Sequence, residues 1–223
     1  MNTFLQGLLG KERPSPSYPV LPVISPEGES NIKGLYMAGE VAGKPLIKIA
    51  VNDGFSVAEA IEKKLSTQSA GASDYHVIVA GAGIAGTAAA MRLKELGRSV
   101  VVLDSGKSFQ NLRNFTKGKL MLAEPTELTM KGNVPFKESS IEETLEMFEQ
   151  AIHTSDLDIR EHTNVSNIQK AGDSFTVTTD RGELTGRYVL LSTGKAGNPR
   201  KAGAQGELDY AEKIAHFLKL HLP

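Results

Sequence analysis

Gly81-Ala82-Gly83-Ile84-Ala85-Gly86 is the most specific chemical signal in the chain. Each glycine has a mechanical reason. Gly81 permits a tight strand-to-helix turn, Gly83 leaves the backbone bare for a pyrophosphate, and Gly86 lets the helix lie close on a sheet. The free N–H groups of the helix that starts at Ile84 and Ala85 add donors and a partial positive charge suited to phosphate. Asp104 ends the next strand and can accept hydrogen bonds from the ribose hydroxyls of an adenosine, with Ser105 beside it in the same loop. The spacing fits an adenine dinucleotide, and the acid at 104 disfavours a 2′-phosphate. It leaves FAD and NAD both open.

These residues require a β-α-β frame, and the sequence supplies one. A near-continuous apolar run over 76–80 reads as a buried parallel strand. An alanine-rich helix over 85–96 ends at Gly97, and a second strand covers 99–103. Upstream, 35–38 reads as a strand, 39–45 as a turn, and 47–64 as a helix with apolar residues at Ile47, Val51, Phe55, Ala58 and Ile61. Ser140 and Glu143 form a capping box before a helix whose apolar face is Ile141, Leu145, Phe148 and Ile152. Three short strands fill 164–191, with turns at 171–173 and 180–182. Residues 13–17 and 67–73 have linker composition, and 208–220 reads as an amphipathic helix.

Composition narrows the function. The 223 residues carry 25 basic and 26 acidic side chains, a net charge of −1, which excludes a strongly basic nucleic-acid-binding face. There are no cysteines, so a disulfide framework, a thiolate metal site, a cysteine nucleophile and a CxxC redox pair are all excluded. His76, His153, His162, His216 and His221 show no metal-ligand spacing. The most apolar stretch, 77–91, is shorter than the roughly 20 residues that span a bilayer. No targeting segment is visible, and a soluble cytoplasmic chain with no nucleic-acid or membrane partner is expected. The Glu138-Glu142-Glu143-Glu146 run reads as a solvated helix face, and Arg113 and Lys117, in the loop after Asp104, read either as phosphate or substrate contacts or as plain solubilising charges.

Two further motifs carry a family resemblance. Tyr188-Val189-Leu190-Leu191-Ser192-Thr193-Gly194 and Gly34-Leu35-Tyr36-Met37-Ala38-Gly39-Glu40 resemble the strand-Ala-Thr-Gly and Gly-Asp motifs of FAD-dependent pyridine nucleotide-disulfide oxidoreductases. Asn114-Phe115-Thr116-Lys117-Gly118-Lys119, Pro125-Thr126-Glu127 and the stretch from Gly194 to Lys201 resemble the thioredoxin-reductase-like, bacillithiol-disulfide-reductase type. The resemblance implies an α/β fold: a Rossmann-like FAD-binding domain with a parallel sheet plus a small antiparallel β-meander. It implies FAD contacts from Thr193, Gly194, Gly39 and Glu40. Glu40 stands where the family has Asp, so its reach is longer. Pro45, Leu46 and Ile47 would bring a helix N-terminus to the flavin, while Lys44 and Lys48 read as solvated.

The order of the pieces differs from the family's. Residues 1–33 read as an N-terminal extension and linker, and 34–66 as a second-half-like FAD segment. Residues 67–74 form a linker, 75–207 a first-half-like Rossmann domain, and 208–223 a helix leading toward an absent NAD(P)H domain. The resemblance implies either the FAD domain in permuted order, with the linker joining the two halves, or the end of one module (1–66) followed by the start of another (75–223); no second GxGxxG is present. The resemblance therefore implies a flavoprotein module that relays electrons from NAD(P)H, acting as a transient donor bound elsewhere, to an unidentified acceptor. A separate NAD(P)H-binding domain or subunit would complete it, and homodimers are common in what it resembles. Two other readings stay open: a nicotinamide-binding Rossmann module without flavin, and a non-catalytic nucleotide-binding module.

Overall fold

The computed structural model describes residues 22–67, 73–132, 134 and 136–195. In chain order the elements are β1 (Leu35–Met37), a 3-10 turn (Gly39–Ala42), α1 (Ile47–Leu65), β2 (Tyr75–Ala80), α2 (Ile84–Glu95) and β3 (Val100–Leu103). They continue with α3 (Gln110–Arg113), β4 (Leu120–Met121), β5 (Ser139–Ser140), α4 (Ile141–Thr154), β6 (Asp158–Arg160), β7 (Val165–Ala171), β8 (Ser174–Thr179) and β9 (Gly182–Leu191). The expected strands and helices sit within a residue or two of their sequence positions. α3, β4, β5 and β6 were not anticipated; all are four residues or fewer, too short to show a period. The segments 1–21, 68–72 and 196–223, which hold the 13–17 linker, most of the 67–73 linker and the C-terminal helix read from the sequence, lie outside the described residues.

The central layer is parallel. β6, β3, β2, β9 and β1 pair side by side in that order, with Val77 opposite Val100, Ile78 opposite Val189, and Met37 opposite Leu191. β9 is long enough to serve two purposes. Its first half pairs antiparallel with β8 (Thr179 opposite Gly182, Phe175 opposite Gly186), and β7 follows β8 to make the meander. Beyond Gly186 that edge of β9 is taken by β1 instead. β1, which precedes the fingerprint strand in the chain, is thus built into the sheet made by 75–191.

The alternation of side chains along the strands makes two cores. Tyr36, Val77, Val79, Val102, Tyr188 and Leu190 face α1 and α2, packing with Val57, Ile61, Ala89 and Leu93. Leu35, Ile78, Val101, Leu103 and Val189 face the other way and are covered by Phe175 and Val177 of the meander. Burying each such large apolar side chain is worth about 1.5–3 kcal/mol, so both faces of the sheet contribute.

Local signals end the helices as expected. Gly97 has φ +75 and donates to Lys94 O (2.9 Å), while Arg98 N–H reaches Leu93 O (3.0 Å), a Schellman stop. At α4, Glu143 N–H donates to Ser140 Oγ (3.2 Å) and Ser140 N–H to Glu143 Oε2 (3.0 Å). The Glu138, Glu142, Glu143 and Glu146 side chains are exposed, a solvated face as read. α1 departs from a simple amphipathic helix: Phe55 is only half-buried, whereas Lys48, Asn52 and Asp53 are buried. The helix is covered on more than one side, so its polar residues have to find partners within the protein.

Candidate functional site

A groove of about 560 Å³ lies at the C-terminal ends of β2, β3 and β9. That is where open α/β sheets hold ligands, and the volume lies within the ordinary range for ligand pockets. Stretches far apart in the chain line it, among them Gly39, Glu40, Lys44 and Pro45; Gly81, Gly83, Ile84 and Ala85; Asp104 and Ser105; and Ser192, Thr193 and Gly194.

The glycines of the fingerprint divide their roles as their geometry dictates. Gly81 has φ +114, and a Cβ there would meet Ser192 O at 2.5 Å. A Cβ on Gly86 would lie 2.1 Å from Gly81 O and 2.3 Å from Ser192 Oγ, so this glycine packs the helix on the sheet and does not line the groove. Gly83 is different. Its backbone is extended (φ −83, ψ −173), and a Cβ there would have only Ser192 O within 4 Å, at 3.9 Å. The space over Gly83 is an open cradle that a side chain would fill. Gly83 caps α2 without any side-chain bond to the first turn, so the leading N–H groups have no intrahelical acceptor. This donor set and cradle fit a phosphate-bearing group.

Asp104 has two neighbours in the turn. Its Oδ2 accepts Ala82 N–H (2.7 Å) and its Oδ1 accepts Gly106 N–H (2.8 Å). The carboxylate therefore ties the fingerprint turn to the loop after β3, with lone pairs left over for a ligand hydroxyl. Phe109 N–H to Ala82 O (2.9 Å) and Thr163 N–H to Asp104 O (2.7 Å) fasten the same loop from both sides. Ser108 N–H donates to Glu161 (2.7 Å), and this bond holds the Glu161 carboxyl below its ordinary value against the opposing effect of burial.

The 3-10 turn brings in the other wall. Gly39 has φ +78, and its N–H donates to Asp53 Oδ2 (2.8 Å). Asp53 Oδ1 forms an ion pair with Lys44. Leu46 and Ile47, expected in the site, do not line the groove; Leu46 faces solvent and Ile47 packs toward the core around Phe109 and Phe148. Lys48, read as solvated, is buried, and its Nζ donates to Pro125 O (2.6 Å). Arg113 is held by Ser108 O (2.9 Å) and Glu149. Among the described residues no cluster of His, Asp and Glu is arranged to hold a metal.

The sequence reading missed Asp53, Phe109, Gln110, Asn111, Thr163 and Asn164, all of which support or line the groove. The signal for Asp53 was the polar pair Asn52-Asp53 interrupting the apolar run of α1. Thr163 and Asn164 carry no local signal, because only the sheet order brings them to Asp104.

Comparison with known proteins bears on the same residues. The family model described as pyridine nucleotide-disulphide oxidoreductase matches residues 78–221. The chain belongs to the pyridine nucleotide-disulphide oxidoreductase family. A mercuric reductase of Acidithiobacillus ferrooxidans is 28% identical over 114 residues, which is 49% of this chain and 18% of that protein. Bacillithiol disulfide reductase from Staphylococcus aureus superposes with a TM-score of 0.56 at 20% identity, covering 65% of this chain and 45% of that one. Its counterpart from Bacillus cereus gives 0.53 at 22% identity, covering 65% and 47%. The chain thus spans less than half the length of each of these relatives. The likeness to the solved structures establishes the oxidoreductase-type fold, a parallel sheet with a small antiparallel meander. Among the described residues no helix is long and apolar enough to cross a membrane.

Proposed function

We propose that this chain is the FAD-binding module of an NAD(P)H-dependent flavoprotein oxidoreductase. The observation that carries the reading is convergence: Gly39-Glu40, the Gly81–Gly86 turn and Thr193-Gly194 are far apart in sequence and line one groove. A dinucleotide-binding turn alone would serve NAD as well as FAD. The addition of the Gly39-Glu40 wall, carried on a segment that comes before the Rossmann unit and pairs with β9, is what the family's FAD site requires and a lone nicotinamide module does not.

The residues divide the work. Gly83 and the first turn of α2 would take the pyrophosphate, Asp104 and Ser105 the adenosine ribose, and Glu40 and Thr193 the ribityl chain. FAD bound there would supply two-electron chemistry, accepting hydride from NAD(P)H and passing electrons to an acceptor. The chain's own part is to bind, orient and exclude water. The same proposal carries an NAD(P)H-binding domain or subunit, an electron acceptor, a second copy in a homodimer and a cytoplasmic setting.

Titration of the purified full chain with FAD, followed by flavin fluorescence and absorbance, tests the reading. Stoichiometric uptake with a protein-bound flavin spectrum is expected. A chain that stays colourless with excess FAD yet binds NADH overturns it in favour of a nicotinamide module.

A further inference from the structure

We propose that Asp53 is a positioning residue for the groove: its carboxylate fixes the Gly39 amide and the Lys44 ammonium together, so that Lys44 presents a fixed cation to the anionic part of the ligand. The inference rests on the FAD reading above.

Asp53 lies on α1, not in the groove, and its side chain is 5% exposed. Both of its oxygens are committed to the same short segment, Oδ2 to the Gly39 amide at 2.8 Å and Oδ1 to the Lys44 ammonium. On its other side Gly39 is wedged against α2, where a Cβ would stand 2.7 Å from Ala85 Cβ. The segment 39–44 is therefore clamped between two helices, and Lys44 N–H closes it with a bond to Gly39 O (3.0 Å). Lys44 lines the groove with its side chain 37% exposed. An ammonium has three donors and Asp53 takes one, so donors remain for a ligand oxygen.

The energetics favour this division of labour. A buried carboxylate without its cation is strongly unfavourable, so the pair holds together before any ligand arrives. A free lysine would have to give up its rotamer freedom on binding; one already ordered by Asp53 has done so in folding, which is preorganisation. Lys44 thus touches the ligand and Asp53 acts through it.

The test is a double-mutant cycle on the full chain, with FAD as the probe and urea denaturation run alongside to confirm that each variant is folded. Lys44→Met and Asp53→Asn should each weaken FAD binding about tenfold, and the double variant should be no weaker than either single. Asn keeps an acceptor for the Gly39 amide while removing the ion pair. If Asp53 were merely structural, Lys44→Met would cost the same tenfold in the Asp53→Asn background, and that additivity overturns the inference. So does a pair of single variants that bind FAD as the wild type does. Should Asp53→Asn fail to fold, Lys44→Arg against Lys44→Met decides: Arg retaining most of the affinity that Met loses supports a held cation, and equal affinity of the two overturns it. A wild-type chain that takes up no FAD overturns the functional reading itself, a result distinct from all of these.

Discussion

Gly54 on α1 and Ala85 on α2 bring the two helix backbones into contact: a Cβ on Gly54 would stand 2.1 Å from the carbonyl oxygen of Ala85. That crossing joins the early segment of the chain to the first turn of the fingerprint helix, so the groove's two walls depend on it. Gly54→Ala should therefore destabilise the protein by about 1–3 kcal/mol, the range for forced overpacking. Equilibrium unfolding in urea reads this directly. An unchanged midpoint would mean that the helices part at no cost, contrary to the packing described.

Two glycines of one motif should behave oppositely. Gly83→Val adds a side chain into open space on an extended backbone, so stability should change by less than about 0.5 kcal/mol, while FAD and ADP binding are lost. Gly86→Ala drives a Cβ into Gly81 O and Ser192 Oγ and should lower stability by about 1–3 kcal/mol. Paired measurements of urea midpoint and nucleotide affinity separate the two. Loss of stability in Gly83→Val with nucleotide binding intact would reverse the assignment.

Much of this architecture was legible in the sequence because its signals are local. The apolar run 76–80, the glycine spacing at 81–86, the capping box at Ser140 and Glu143, and Gly97 after α2 each act within a few residues, and each holds in the structure. The joining of β1 to β9 was readable only through the family resemblance, since no local pattern places residue 37 beside residue 191. What the sequence did not show is burial forced from outside a helix. The 3.6-residue period puts Phe55 on the α1 core face and leaves Lys48 in solvent; in the structure Phe55 is half-buried, while the loop around 125–131 buries Lys48. The family resemblance puts Pro45, Leu46 and Ile47 in the site; of these Pro45 lines the groove, beside Lys44, and Leu46 and Ile47 do not.

That loop is strapped to one face of α1 at residues four apart. Lys48 Nζ donates to Pro125 O (2.6 Å), Asn52 Nδ2 to Thr129 O (2.8 Å), Lys131 N–H to Asn52 Oδ1 (2.8 Å) and Lys131 Nζ to Ser56 Oγ (2.8 Å). Asn52 satisfies a donor and an acceptor of the loop backbone at once. Asn52→Ala should cost about 1–3 kcal/mol, because a partly buried N–H and C=O lose their partners. Hydrogen exchange localises the effect, with faster exchange at Lys131 and its neighbours expected, and little change at β2 or β9. Uniform loss of protection across the sheet would show that the strap supports the whole domain.

Acid should weaken the α1–α2 junction. Glu62 of α1 accepts two bonds from Arg98, from Nε at 2.7 Å and Nη2 at 2.6 Å. These hold the Glu62 carboxyl below its ordinary 4.5 although partial burial pushes the other way. A carboxyl whose pKa is lower in the folded state leaves the unfolded chain binding more protons through that window. Its stabilising contribution is therefore complete above the ordinary value and is lost as the pH falls through the depressed one. Glu62→Gln should lower stability at pH 7 by about 1 kcal/mol, as for a well-formed but partly solvated pair. At pH 3, below the ordinary carboxyl value, the gap between variant and wild type should narrow, because the unfolded wild type binds a proton at Glu62 that folding must release. Urea midpoints of both proteins at the two pH values check this, and a gap that widens toward acid would show that the carboxyl is not the group being titrated.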